Sequence, residues 1–278
     1  MLLITGAGGQ LGRATLERCV ELGIEFVAAD RAELDITERA SVAKFVKVQD
    51  IDCILNCAAY TAVDAAEDHI GDAYAVNAYA PHCLASLGIP VIHVSSDYVF
   101  NGSASTPYET DSPTDPLSVY GLSKRAGEIA LIESGAFGLI VRTAWVYSAC
   151  PEAKNFYNTM KRLALERDEV RVVSDQRGTP TLASDFADAL LRLYLQGMHR
   201  ERMRILHFTN AGESTWFDFA SSIIAHVNPA CRVTPIMTAD YPTKAVRPAY
   251  SVLSLKSLAD CGIHPRNWRD ALESTFQD

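Results

Sequence analysis

LLITGAGGQLG, residues 2–12, decides how this chain is read. Four strand-like residues run into glycines at 6, 9 and 12, and from Gln10 the apolar pattern becomes helical. A strand that breaks on a glycine turn and continues as a helix opens a parallel α/β sheet. The helix start it creates presents unpaired N–H groups to an anion. Gly6 permits the tight turn, Gly9 lets backbone approach a pyrophosphate, and Gly12 lets the helix pack closely on the sheet. The spacing is G-x-x-G-x-x-G rather than the common G-x-G-x-x-G. Asp30 ends the next apolar run, FVAAD, eighteen residues after Gly12. A carboxylate there accepts hydrogen bonds from an adenosine ribose, whereas the adjacent Arg31 favours a 2′-phosphate, so NADH and NADPH both stay open.

Outward from this turn, β-rich runs and helical patterns alternate. DCILNCA (52–58), PVIHVSS (90–96) and GLIVRTAWVY (138–147) are separated by helical stretches at 37–47, 74–87 and 120–133. Runs that are apolar throughout suit strands covered on both faces. Alternation of this length predicts right-handed crossovers and a doubly wound parallel Rossmann-type sheet. After Tyr147 the rhythm changes. A helix puts Phe156, Met160, Leu163 and Ala164 on one face, and VRVVSD (170–175), a helix from about Ser184, ILHFTN (205–210) and helices near 215–227 and 268–276 follow. Residues 1–147 and 177–200 are expected to form the dinucleotide-binding domain, with 148–176 and 201–278 as a smaller substrate-capping domain.

Composition limits the function classes. The chain has 278 residues, 48% of them hydrophobic, enough to bury a sizeable core. A net charge of −9 disfavours a nucleic-acid or anionic-membrane surface. The seven cysteines form no C-x-x-C pair and the histidines show no metal spacing, so neither a disulfide framework nor a metal site is expected. Met1 leads straight into a strand with no basic segment before an apolar stretch, and no apolar run reaches membrane-spanning length. The expected location is the cytoplasm.

The chemistry lies further along. VYGLSK places Tyr120 and Lys124 four residues apart, on one face of a helix start, and Ser96 ends the fourth main strand. Ligands of open α/β sheets bind outside the carboxyl ends of the strands, so all three groups are carried to the place the glycine turn addresses. Reduction of a ketone by hydride needs a proton for the developing alkoxide. A phenol with a pKa of about 10 supplies it more readily when a lysine ammonium nearby lowers that value by roughly 2–3 units. Ser96 would hydrogen-bond the carbonyl oxygen.

With Ser96, Y-x-x-x-K and this glycine spacing, the chain resembles the extended short-chain dehydrogenase/reductase superfamily. More closely it is similar to the dTDP-4-dehydrorhamnose reductase family, through GAGGQLG (6–12), NCAAYTAVDAAE (56–67), VSSDYVFNG (94–102), PYETDSPTDPLSVYGLSKRAGE (107–128), VRTAWVY (141–147), VVSDQRGTPT (172–181) and RPAYSVL (247–253). The resemblance implies Ser96, Tyr120 and Lys124 as the catalytic set. It implies a cofactor path through Gly6, Gly9, Gln10, Leu11, Gly12, Asp30, Arg31, Asp35, Ile36, Ala58, Ala59, Tyr60 and Asn77. Asp97, Tyr98, Trp145, Asn155, Gln176 and Arg247 are the candidates for sugar-nucleotide recognition. The implied reaction is NADPH- or NADH-dependent reduction of the C4 ketone of dTDP-4-dehydro-β-L-rhamnose. An NAD-dependent sugar-nucleotide epimerase and a non-catalytic NAD(P)-binding regulatory subunit are the alternatives. Asp97-Tyr98 follows Ser96 where dehydratases of the superfamily carry Asp-Glu, which disfavours elimination of water. Some relatives dimerise through magnesium and a carboxylate of the first helix. Here Arg13 and Ala14 occupy the nearby positions, so no metal is expected and a homodimer stays open.

Overall fold

The computed structural model describes residues 1–277. Six parallel strands form the main sheet. β1 (Leu2–Thr5), β2 (Phe26–Ala29), β3 (Cys53–Asn56), β4 (Val91–Ser96) and β5 (Gly138–Thr143) stand in the order β2-β1-β3-β4-β5, and Arg204–His207 completes the edge beside β5. Because side chains alternate along a strand, β1 sends Leu2 and Ile4 to one face and Leu3 to the other. The first face packs on helix α1 (Gln10–Leu22) and on the Ala183–Leu195 helix, through residues such as Cys19, Phe186 and Leu190. The second packs on the crossover helices, through Val42, Leu84 and Leu131. Burial of both faces explains the uninterrupted apolar runs.

The strand order reverses direction between β1 and β3, and the crevice of an open α/β sheet lies at such a point. The loops after these two strands carry Gly6 and Ala58. A Cβ on Gly6 would stand 2.6 Å from the Ala58 nitrogen, and one on Gly12 would stand 2.3 Å from the Gly6 oxygen. Both contacts are closer than any side chain tolerates, which is the physical reason for glycine at these positions.

A second core lies beyond the sheet edge. Tyr147, Tyr157, Phe219, Ile223 and Trp268 pack together, drawing on the helices Phe156–Glu166, Trp216–Val227 and Trp268–Glu273. Beside them Glu169–Val173 pairs in parallel with Arg232–Ile236, a strand that sequence periodicity does not reveal. Arg204–His207 lies within the segment expected to form the smaller domain, yet it is hydrogen-bonded into the main sheet beside β5. The Ala183–Leu195 helix packs under that sheet and hands the chain back to it, so the strand belongs to the doubly wound pattern. Among the described residues no helix is long and apolar enough to cross a membrane.

Candidate active site

The carboxyl ends of the strands open onto a cavity of about 650 Å³. Gly6, Gly9, Gln10, Leu11, Gly12, Asp30, Arg31, Asp35, Ile36, Ala58, Ala59 and Tyr60 line one end of it. Gly9 is the N-cap residue of α1 and no side chain caps this helix, so its first-turn N–H groups remain for an anionic ligand. Just after β2, Asp30 Oδ1 accepts from Ala32 N at 2.7 Å, while Asp30 N donates to Glu33 Oε2 at 2.7 Å. Arg31 is exposed, with Nε 3.6 Å from Asp35 Oδ2. Hydrogen bonds from Thr37 hold the Asp35 carboxyl below its usual range. The glycine cradle and the uncapped helix start fit a dinucleotide diphosphate.

Asn77 does not line the cavity. It lies fully buried behind Tyr60, accepting from Tyr60 N at 2.8 Å and donating to Tyr60 O and to Ser123 Oγ, each at 3.0 Å. It thereby fixes a lining loop to the helix that carries Tyr120. Sequence periodicity predicts one helix over 74–87, but Ala75–Tyr79 is a π-helical turn with Asn77 at its centre. Pro81 has no N–H to bond the carbonyl of residue 77 in α-helical register, which favours the wider turn.

Tyr120 and Lys124 project from the first turns of the Val119–Glu133 helix, whose N-cap Ser118 accepts from Gly121 N at 3.2 Å. The helix sits unusually close to its neighbours. Cβ atoms on Gly121 and Gly127 would fall 2.2 Å from the Tyr98 oxygen and 2.1 Å from the Asn77 oxygen. Those two glycines are the sequence signal that the helix is pressed into the site.

Ser96, Asp97, Tyr98, Tyr120, Lys124, Trp145 and Asn155 line the other end of the same cavity. Ser96 Oγ donates to Asp97 Oδ1 at 2.9 Å and accepts from Tyr98 N at 3.2 Å. The Tyr98 ring meets Tyr120 edge-on, with centroids 5.3 Å apart. Burial pushes the Tyr120 phenol up to about 12, opposed by its hydrogen bond with Ser96. Burial likewise pushes the Asp97 carboxyl up to about 6 and the Lys124 amine down to about 8. The expected depression of the phenol by lysine is therefore not what the chain itself produces. Lys124 Nζ instead donates to Val94 O at 2.7 Å and lies 3.4 Å from His93 Nε2.

Two further groups at this end are not evident from sequence. Thr143, opposite Ser96 in the β4–β5 register, presents a buried hydroxyl without a hydrogen-bond partner, as does Asp97 Oδ2. Trp216 stacks on Trp145 with centroids 3.6 Å apart, and both line the cavity. Trp145 takes φ 49°, a strained value for a bulky side chain, so β5 stops at Thr143 rather than continuing to Tyr147.

Asn155 caps the Phe156–Glu166 helix through Asn158 N at 2.9 Å and donates to Gln10 Oε1 at 3.1 Å and Ser148 O at 2.9 Å. Gln10 Nε2 in turn donates to Val146 O at 2.9 Å. The remaining two sugar-nucleotide candidates lie outside the cavity lining. Gln176 donates to Thr238 Oγ1 at 3.1 Å, and Arg247 forks onto Asp64 at 2.6 and 3.1 Å.

A buried phenol that keeps its proton at neutral pH can surrender it only to a strong base, such as the alkoxide left when hydride reaches a ketone. Its hydroxyl neighbour Ser96 can hold the same oxygen. A dinucleotide cradle on a parallel sheet, with this pair at its far end, defines the class of short-chain dehydrogenases and reductases.

The family model described as "RmlD substrate binding domain" matches residues 1–278. The chain is 39% identical to a dTDP-4-dehydrorhamnose reductase of Burkholderia thailandensis over all of this chain and 98% of the relative. It is 37% identical to the spore coat polysaccharide biosynthesis protein SpsK of Bacillus subtilis, over all of this chain and 97% of that protein. The crystal structure of a Bacillus anthracis dTDP-4-dehydrorhamnose reductase in complex with NADP superposes with a TM-score of 0.91, at 34% identity, covering 99% of this chain and 98% of the other. The chain belongs to the dTDP-4-dehydrorhamnose reductase family.

Proposed function

We propose that the protein reduces the C4 ketone of dTDP-4-dehydro-β-L-rhamnose to the alcohol of dTDP-L-rhamnose, using NADPH or NADH, as a soluble cytoplasmic enzyme. The observation that carries this reading is the convergence of Ser96, Tyr120 and Lys124 on the cavity that begins at the glycine turn. Full-length similarity to reductases of this name supplies the substrate. When bound, the nicotinamide supplies hydride.

The chain's own part is to bind, orient and move one proton. The N–H groups at the start of α1 would hold the diphosphate, and Asp30 with Arg31 would receive the adenosine ribose. Ser96 Oγ orients the ketone oxygen, and Tyr120 gives its proton to that oxygen as charge develops. Lys124, which lines the same cavity, would hold the nicotinamide ribose. The stacked Trp145–Trp216 pair, Asp97 and Tyr98 bound the sugar, and the smaller lobe screens it from water.

The test is oxidation of NADPH and NADH against dTDP- and UDP-linked 4-keto-6-deoxy sugars. Turnover with the dTDP-linked 4-keto sugar is expected, falling about 10³-fold in Tyr120→Phe with dinucleotide affinity retained. Wild-type protein inactive on the whole panel sinks the reading. Conversion of substrate with tightly retained NAD and no net change in nicotinamide absorbance favours an epimerase.

A further inference from the structure

Beneath Lys124 runs a file of buried polar groups that the chemistry above leaves unused. Thr5 ends β1, Asn56 ends β3 and His93 lies within β4, and all three are fully buried. The Ala58 backbone N–H, which can only donate, meets Asn56 Oδ1 at 3.2 Å, and Thr5 Oγ1 donates to the same oxygen at 2.7 Å. The backbone donor fixes which end of the Asn56 amide is oxygen. Asn56 Nδ2 is then the atom 3.0 Å from His93 Nδ1, and since an amide nitrogen only donates, Nδ1 must accept. Burial, and next the charge of Lys124, hold the His93 ring well below its ordinary pKa, so it is neutral. A neutral imidazole that accepts at Nδ1 carries its proton on Nε2.

That Nε2 lies 3.4 Å from Lys124 Nζ. As an ammonium, Lys124 offers His93 only another N–H. As a neutral amine it offers a lone pair, while still donating to Val94 O at 2.7 Å. We propose that Asn56 and His93 are positioning residues that lock one imidazole tautomer, turn an N–H toward Lys124 and so bias it toward the neutral amine.

Burial is the largest push toward the neutral amine, and the charged groups near Lys124 do not add to it. Glu128 on the same helix and Cys57 beyond β3 both favour the ammonium. The Glu128 carboxylate is already engaged by Arg142, Ser95 and Arg125, and the Cys57 thiol is pushed up to about 12 by burial. Tyr120 shares the Lys124 helix face, and Asp97 acts on Tyr120 from the end of β4. On the reductase reading, on which this consequence rests, Lys124 loses its charge close to working pH and sets the alkaline limb of turnover.

The test begins with the wild-type chain, its histidines labelled with ¹⁵N and no ligand added. Two-bond ¹H–¹⁵N correlation at pH 7 reads the tautomer of His93, assigned as the ring signal lost in His93→Gln. Protonation on Nε2 alone is expected, and a proton on Nδ1 overturns the proposal. Asn56→Asp keeps the oxygen that receives Ala58 N–H and Thr5, but replaces the donor with an acceptor. This reverses the file, so Nδ1 gains the proton and Nε2 offers its lone pair to Lys124. The Lys124 titration, followed through its ¹⁵Nζ signal, then rises by about one pH unit or more, and it rises also in His93→Leu, which removes the N–H without adding a charge; an unmoved midpoint in folded His93→Leu overturns the lock. A folded Asn56→Asp with an unmoved midpoint also overturns the lock, and the alkaline limb of turnover should rise with the midpoint. Absence of turnover in the wild type alongside the Nε2–H tautomer counts against the reductase reading alone.

Discussion

The two ends of the cavity are built from different materials. The end at α1 is made by backbone: Gly6 and Gly12 leave no room for a Cβ, and the helix start has no side-chain cap. The end at Tyr120 is made by buried side chains held by other buried side chains, Asn77 behind Tyr60 and Ser123, and Asn56 and His93 behind Lys124. A backbone cradle fails by steric exclusion, which acts on ligand and fold together. A side-chain cluster fails by loss of a proton or a hydrogen bond, which can change reactivity with little change in shape.

The sharpest way to break this contrast is Gly12→Ala. The new methyl meets the Gly6 oxygen, a backbone atom with nowhere to move. Dinucleotide affinity should fall at least about a hundredfold and stability by on the order of 3 kcal/mol, read by calorimetry and by denaturant unfolding. A tolerated alanine would show that the turn can relax.

At the other end, Asn77→Ala removes an amide that makes three hydrogen bonds, leaves the Tyr60 backbone N–H and C=O without their partner and cuts the tie to Ser123, whose hydroxyl keeps only its bond to Tyr120 O. A loss of about 2–3 kcal/mol is expected in urea unfolding, with turnover reduced more than dinucleotide affinity. Equal losses in the two would place Asn77 at the dinucleotide rather than behind the Tyr120 helix.

Asp97→Asn probes charge rather than shape. The carboxyl titrates at about 6 in the folded chain, above its ordinary value of 3.8, so the folded state binds the proton more tightly. The stability this gives is full below the unfolded value and is lost as pH rises through about 6. The asparagine variant escapes that loss. Its stability relative to wild type should rise by about 2 kcal/mol between pH 4 and pH 8. A pH-independent difference in urea midpoints would mean that Asp97 is solvated.

The smallest effect is expected at Arg31, whose exposed guanidinium is only loosely paired with Asp35. Arg31→Ala should lower kcat/KM with NADPH by about fivefold and leave NADH nearly unchanged. Equal losses with both cofactors would assign Arg31 to the fold of the loop.

The same contrast governs what could be read from the sequence. The sheet, α1 and the positions of Ser96, Tyr120 and Lys124 follow from apolar runs and glycine spacing, because those patterns are local. What escaped depends on distant partners. Asn77 looks like a mid-helix residue until Pro81 and Gly127 are seen to shape the turn and the contact around it. Arg232–Ile236, interrupted by Pro235, becomes a strand only beside Glu169–Val173. Arg247 carries a charge suited to a diphosphate, and its pairing with Asp64, far away in sequence, shows only in the structure. Ser184 and Asp185 suit a helix start by composition. Yet no side chain caps that helix, and Asp185 instead pairs with Arg266 and accepts from Asn210.

The aromatic stack at the Tyr120 end also gives the molecule an optical property. Of its three tryptophans, Trp145 and Trp216 lie face to face in the cavity wall, and only Trp268 is sealed in the second core. Two of the three indoles that can report by intrinsic fluorescence therefore sit in the cavity wall. A ligand that slides against the stack, or parts it, announces itself in the emission spectrum without any label.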